Sequence, residues 1–323
     1  MDSDRQQQTN LGQPSPSYVP GIAPANWLWG KNGLRAGWRL LIYFLIVLVL
    51  SAVSTVVAAS FGWPNAHNPS ALALFMQDLV GFAVIFGAAL FMSRIERRAV
   101  GDYGLPRKGM FGDKFWLGFL FGLLEISLLM GLIGAFGGYS FGTLVLQGTG
   151  IVRWGAFHLL LFLFVGLFEE FLFRGYAQFT LGGGIGFWPA AILLSVGFGA
   201  IHLSNSGEGP VGAASVALVG LFFCFSLRRT GNLWYAVGLH ASFDWGETFL
   251  FSVPNSGEVL QGHLSNSVLQ GPHWLTGGSV GPEGSVFCFL TMGLQFLMVA
   301  LLFPAKKKTP LESLSGASQV LPD

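Results

Sequence analysis

Apolar stretches of about 20 residues recur along the chain, separated by short polar connectors rich in glycine and proline. Windows drawn at roughly 40–60, 71–93, 115–137, 154–181, 187–203, 211–227, 232–250 and 285–303 give eight predicted spans. The pattern predicts an all-α fold, a polytopic membrane bundle of about eight helices. Residues 1–36 hold no apolar run and are rich in Gln, Ser, Pro and Asn, which predicts a disordered cytoplasmic tail instead of a cleavable signal. The stretch 251–284 reads as an irregular external loop, a candidate partial lid. Between the second and third spans, Val100 to Pro106 reads equally as a plain loop or as a segment resting on an anionic leaflet.

Composition agrees with this picture and narrows it. Of 323 residues, 52% are hydrophobic, 15% aromatic and only 10% charged, which excludes an ordinary soluble domain. The mean hydropathy is +0.59. Forty-six glycines suit close helix packing in lipid. The run Gly182-Gly183-Gly184-Ile185-Gly186 lacks the Lys-Ser/Thr of a phosphate loop, so it predicts a turn, with no nucleotide or nucleic-acid partner. Cys224 and Cys288 sit in apolar segments and predict neither a disulfide framework nor a CxxC metal site.

Charge placement sets the expected orientation. If the spans alternate, every Lys and Arg except Arg153 and Arg174 falls on one side, while 251–284 contains neither residue type. The positive-inside rule then puts both termini in the cytoplasm, as in a bacterial inner membrane protein.

The costliest feature is Glu169-Glu170-Phe171-Leu172-Phe173-Arg174, three charges within an apolar helix. On insertion scales each costs at least ~2.5 kcal/mol at the bilayer centre. Glu170 and Arg174 are four apart and share a helical face, acid first, which suits pairing. Glu169 points about 100° away and is left to face a cavity. His202 follows Phe198 by one turn, and Phe198 is placed to wall its pocket. His240 and Asp244 are again four apart, so the acid can fix the imidazole's tautomer. Asp78, Glu125, His158 and Glu247 also lie in spans, without motif support.

Depth imposes a condition. Were the fourth helix to end at Phe173, His202 would sit roughly 24 Å further out than Glu169, and the two would not share a water. The expectation is therefore that this helix continues to about Leu181.

In order, the motifs are EExxxR (Glu169, Glu170, Arg174), FxxxH (Phe198, His202) and HxxxD (His240, Asp244). Together they resemble the CAAX protease and bacteriocin-processing family, also called the abortive-infection family, of intramembrane endopeptidases. The resemblance covers about residues 115–250, with Asn232-Leu233-Trp234-Tyr235-Ala236 and Asp102-Tyr103-Gly104-Leu105 similar in style. It implies a catalytic core in the fourth to seventh spans and hydrolysis of a peptide bond in a membrane-associated peptide or protein. Glu169 and His202 would activate water, His240 and Asp244 would steady the oxyanion, and Glu170 and Arg174 would hold the site's shape. That mechanism needs no cofactor. The older metallopeptidase assignment would instead make Glu169, His202 and His240 zinc ligands, although the HExxH helix is absent. Asp244 departs from the family's frequent Asn: an ionised Asp only accepts, so it must be protonated, orient His240, or bind metal.

The expected organisation is a tail (1–36), a transmembrane pair with its connector (37–114), the protease core (115–250), the external loop (251–284), and a last helix with a basic tail (285–323). A second reading, from a different class, is a non-catalytic membrane scaffold or immunity protein that uses the buried polar cluster to hold a partner.

Overall fold

The computed structural model describes residues 27–30, 33–61, 70–205 and 207–305. Most of the expected N-terminal tail, and the basic tail from Lys306 onward, lie outside them. Strands β1 (Trp29–Gly30) and β2 (Gly33–Leu34) form a short antiparallel pair within the unit Met1–Arg35, and the rest of the fold belongs to a second compact unit from Ala36 onward.

That second unit is an all-α membrane bundle. Its helices are α1 (Ala36–Ser60), α2 (Ala71–Glu96), α3 (Asp113–Ala135), α4 (Thr149–Arg174), α5 (Tyr176–Ile185), α6 (Phe187–His202), α7 (Pro210–Thr230), α8 (Trp234–Trp245), the short α9 (His273–Thr276) and α10 (Val286–Leu302). Strands β3 (Tyr139–Ser140) and β4 (Val268–Leu269) pair antiparallel and tie the loop after α3 to the loop before α9. Among the described residues, five segments are long and apolar enough to cross a membrane: α1, α2, α3, α4 with α5, and α7. Helices α6 and α10 are apolar but shorter. Each of the eight predicted windows thus holds a helix, though not eight full-length ones.

Local chemistry sets several helix ends. Ser70 caps α2, its hydroxyl accepting from the Ala73 N–H at 3.2 Å. Pro210 opens α7, where its missing N–H costs nothing, and Gly231 closes it in the left-handed conformation.

The expected continuous fourth helix is corrected. It ends at Arg174, and Gly175 turns the chain into α5. A side chain at Gly175 would overlap the carbonyl of Phe171, so the break depends on the absence of one. The condition attached to that helix also falls. Helix α5 runs roughly 15 Å beyond the break, and α6 returns over a similar length. That return brings Phe198 back level with the end of α4, its ring 5.0 Å from that of Phe173. Glu169 and His202 therefore line one cavity although the helix ends at Arg174.

Helix α8 occupies the centre, with Trp234 through Ser242 buried without interruption. It lies against α3 through glycines on both helices: side chains at Gly118 and Gly122 would overlap the carbonyls of Tyr235 and Leu239, and one at Gly238 would overlap that of Phe115. Backbones approach this closely in lipid because dispersion between well-fitted surfaces replaces the hydrophobic force. Helix α1 is peripheral, burying only Tyr43 among its residues and turning Leu48, Val53 and Val56 outward.

At one end of the bundle, Glu96 joins four elements. Arg39 pairs with it through two nitrogens, and the hydroxyls of Tyr103 and Tyr176 donate to its two oxygens. The segment Val100 to Pro106 is part of this anchor. It forms a 3-10 turn with Tyr103 fully buried, the Gly104 carbonyl accepts from the Leu233 N–H at 2.8 Å, and the Trp234 indole donates to the Pro106 carbonyl at 3.0 Å. It is not a plain loop.

Candidate active site

Three helices carry the polar groups, and the breaks around them bring those groups together. On α4, Oε1 of Glu170 lies 3.2 Å from Nη1 of Arg174, one turn on, with both side chains fully buried. Desolvating two such ions costs several kcal/mol each, so the pair persists only with further compensation. Aromatic faces supply it. The Arg174 guanidinium carbon stands 4.3 Å from the Phe198 ring centre, 5.5 Å from Phe223 and 5.7 Å from Phe173. Each such contact contributes about 2 kcal/mol when desolvated. Gly220 on α7 leaves the space this requires, since a side chain there would overlap Nη2 of Arg174.

Phe198 carries the arrangement on to His202, its ring edge-on at 4.7 Å. Nδ1 of His202 lies 2.8 Å from the Phe198 carbonyl, which only a protonated nitrogen can satisfy by donating. Nε2 is then the nitrogen available to the cavity. The predicted wall for this imidazole is thus observed.

His240 stands at the junction. Its ring stacks on Phe223 at 5.4 Å and 12°. Nδ1 lies 3.0 Å from Oε1 of Glu170, while Nε2 lies 3.4 Å from Oδ2 of Asp244 and 3.6 Å from Oε2 of Glu169. The first is a hydrogen bond. The other two are close ion-pair distances, longer than a hydrogen bond. Gly166 on α4 lies close against α8, where an added Cβ would stand 3.3 Å from the Val237 carbonyl oxygen.

Glu169 differs from Glu170 in exposure, at 21% against none. It opens onto a cavity of about 250 Å³, shared with His202, His240 and Asp244. Asp78 and Glu125 line this cavity as well. His158 and Glu247 do not: His158 is buried in a stack with Trp154 and Phe162, and Glu247 is buried in a π-helical turn at Gly246–Leu250.

Asn205, Ser256, Glu258 and Glu283 also line the cavity, and no motif or spacing marks them. Three of them come from the predicted external loop. Glu283 is held among buried groups, and burial first, then the charge of Asp244, pushes its carboxyl up to about 7.

Zinc would need its protein ligands gathered at about 2.0–2.2 Å from one point. Among the described residues, no group of three or more His, Cys, Asp or Glu side chains is arranged to hold a metal ion. The metallopeptidase alternative, with Glu169, His202 and His240 as ligands, has no support in this geometry.

Residues 151–246 match the family model described as type II CAAX prenyl endopeptidase, Rce1-like. The matched segment contains all three motifs, and the match bears out the resemblance to CAAX-type intramembrane proteases. No curated protein and no solved structure matches the chain.

Proposed function

We propose that this chain is a glutamate-dependent intramembrane endopeptidase that hydrolyses a peptide bond in a membrane-associated peptide or protein. The observation that carries the reading is the position of Glu169: a carboxylate open to a cavity within the bundle, beside the His240 Nε2 atom and facing the same space as His202.

The roles follow from what each group can donate or accept. Glu169 accepts a proton from a water held between it and Nε2 of His202. The water oxygen attacks the scissile carbonyl carbon, and the negative charge passes to the carbonyl oxygen. His240, donating from Nδ1 to Glu170, carries its second proton on Nε2, where Asp244 and Glu169 favour it. That N–H is the group available to the oxyanion, and aiming a fixed donor at developing charge is the strongest device such a site has. When the tetrahedral species collapses, the C–N bond breaks and Glu169 returns the proton to the departing amine. Arg174 and Glu170 take no proton and keep the frame.

The same reading puts both termini on the cytoplasmic face of a bacterial cell membrane, with the Arg39 and Glu96 end of the bundle inward. The protease core at 115–250 is then flanked by a transmembrane pair, an external loop and a last helix, as the sequence predicts. No feature of the site favours the scaffold reading.

The test is cleavage of quenched-fluorescence peptides by the purified protein in lipid nanodiscs, with and without a chelator. Cleavage that withstands chelation and disappears in Glu169→Ala supports the reading. Cleavage by Glu169→Ala at the wild-type rate would end it.

A further inference from the structure

The linker that follows His202 is stitched to two separate parts of the 251–285 loop. The Asn205 side-chain amide donates to the Ser256 carbonyl at 3.1 Å, and the Ser256 N–H and hydroxyl both donate to Oε2 of Glu283 at 2.8 Å. Beside this chain, the Ser279 hydroxyl donates to the Gly207 carbonyl at 2.9 Å, and the Gly257 N–H donates to the Val280 carbonyl at 2.8 Å. The Gly207 and Gly257 backbones approach so closely that a side chain on Gly207 would stand 2.6 Å from Cα of Gly257.

Ser256 has φ 44°, a left-handed conformation that is strained for a residue with a side chain. Such a conformation persists only where its surroundings fix it. Here the Glu283 carboxylate does so by accepting both of the residue's donors. Asn205, Ser256 and Glu283 all line the cavity that holds His202. Ser256 and Glu283 also lie beyond residue 246, where the family match ends.

We propose that Glu283, Ser256 and Asn205 form a positioning strap that fixes the end of α6 and so holds His202 in the cavity. The inference rests on the peptidase reading for its catalytic consequence. All three are positioning residues: they act on the reaction only through where the imidazole stands. Displacing a reacting group by 1 Å costs about 10²-fold in rate, so a loosened strap is read in kcat more than in KM.

The test compares Glu283→Ala, Glu283→Gln and Asn205→Ala in the full-length protein, by peptidase kinetics and by hydrogen exchange over residues 198–205. A glutamine keeps an acceptor oxygen for the two Ser256 donors, whereas alanine does not. The expected result for Glu283→Ala is a fall in kcat of about ten- to a hundredfold with KM within about threefold, and faster exchange. Glu283→Gln should restore both kcat and exchange. Asn205→Ala leaves the Glu283 bonds intact and carries the same expectation as Glu283→Ala, so a poorly folding Glu283→Ala does not remove the test. Wild-type kcat and exchange in both alanine variants would overturn the strap, as would a Glu283→Gln variant as impaired as Glu283→Ala. If the wild-type protein cleaves nothing, the peptidase reading falls and the exchange comparison alone decides the strap.

Discussion

Nδ1 of His240 lies 3.0 Å from Oε1 of Glu170, the same oxygen that receives Nη1 of Arg174 at 3.2 Å. One buried carboxylate therefore ties α8 to α4 across 70 positions of sequence. From the sequence, Glu170 is expected only to neutralise Arg174 along its own helix. In the structure it also fixes which nitrogen of His240 points away from the cavity, and so which one faces it.

Arg174 should consequently be intolerant even of lysine. Arg174→Ala leaves the Glu170 charge buried without its partner, a loss of about 3–5 kcal/mol. Lysine restores the charge but not the flat guanidinium face over Phe198. The expected order of Tm in detergent is wild type, then Arg174→Lys, then Arg174→Ala, with Arg174→Lys also losing most activity. Equal Tm for wild type and Arg174→Lys would show that the aromatic contacts contribute little.

The glycine contact between α3 and α8 sets the depth and facing of His240. Gly122→Val forces the helices apart at Leu239 and Ser242, on either side of His240. Overpacking of this kind costs about 1–3 kcal/mol or more. Gly131, also on α3, faces open space, and Gly131→Val serves as the control. Gly122→Val should lower both Tm and kcat while Gly131→Val leaves the site intact; matched effects in the two variants would contradict this packing.

Glu283 gives a pH signature. Its carboxyl is raised from the ordinary 4.5 to about 7, chiefly by burial and then by Asp244, so the folded protein binds this proton more tightly than the unfolded chain does. Between those two values the folded state holds the extra proton, and stability contributed by Glu283 is present at low pH and lost as pH rises to about 7. Glu283→Gln removes the titration, so its Tm should fall less than that of wild type between pH 5 and pH 7.5, about the window this shift defines. Parallel Tm curves for the two proteins would contradict the assignment.

Much of this was legible because lipid makes polarity expensive. Glu169, Glu170 and Arg174 stand out in an apolar run, and four-residue spacing pairs Glu170 with Arg174, Phe198 with His202, and His240 with Asp244. The break at Gly175 was not legible, because a glycine among 46 carries no mark of the carbonyl it must avoid. A helix that ends early separates Glu169 from His202 in depth only if the next helix rises from that end, and here α5 continues beyond the break before α6 returns. Glu283 and Ser256 were hidden for another reason: loop residues have no period, and their partners are set by tertiary packing. Val100 to Pro106 was hidden likewise, since its anchors Leu233 and Trp234 lie more than a hundred positions away.

In the proposed reaction Glu169 takes the proton from the attacking water, and kcat of Glu169→Gln beside wild type on the same membrane peptide is the decisive comparison. The amide keeps the side chain's size and removes its basicity, and general-base catalysis contributes about 10²–10⁴-fold. The expected result is a loss of about that size with unchanged Tm. A Glu169→Gln protein that turns over within about threefold of wild type would contradict it.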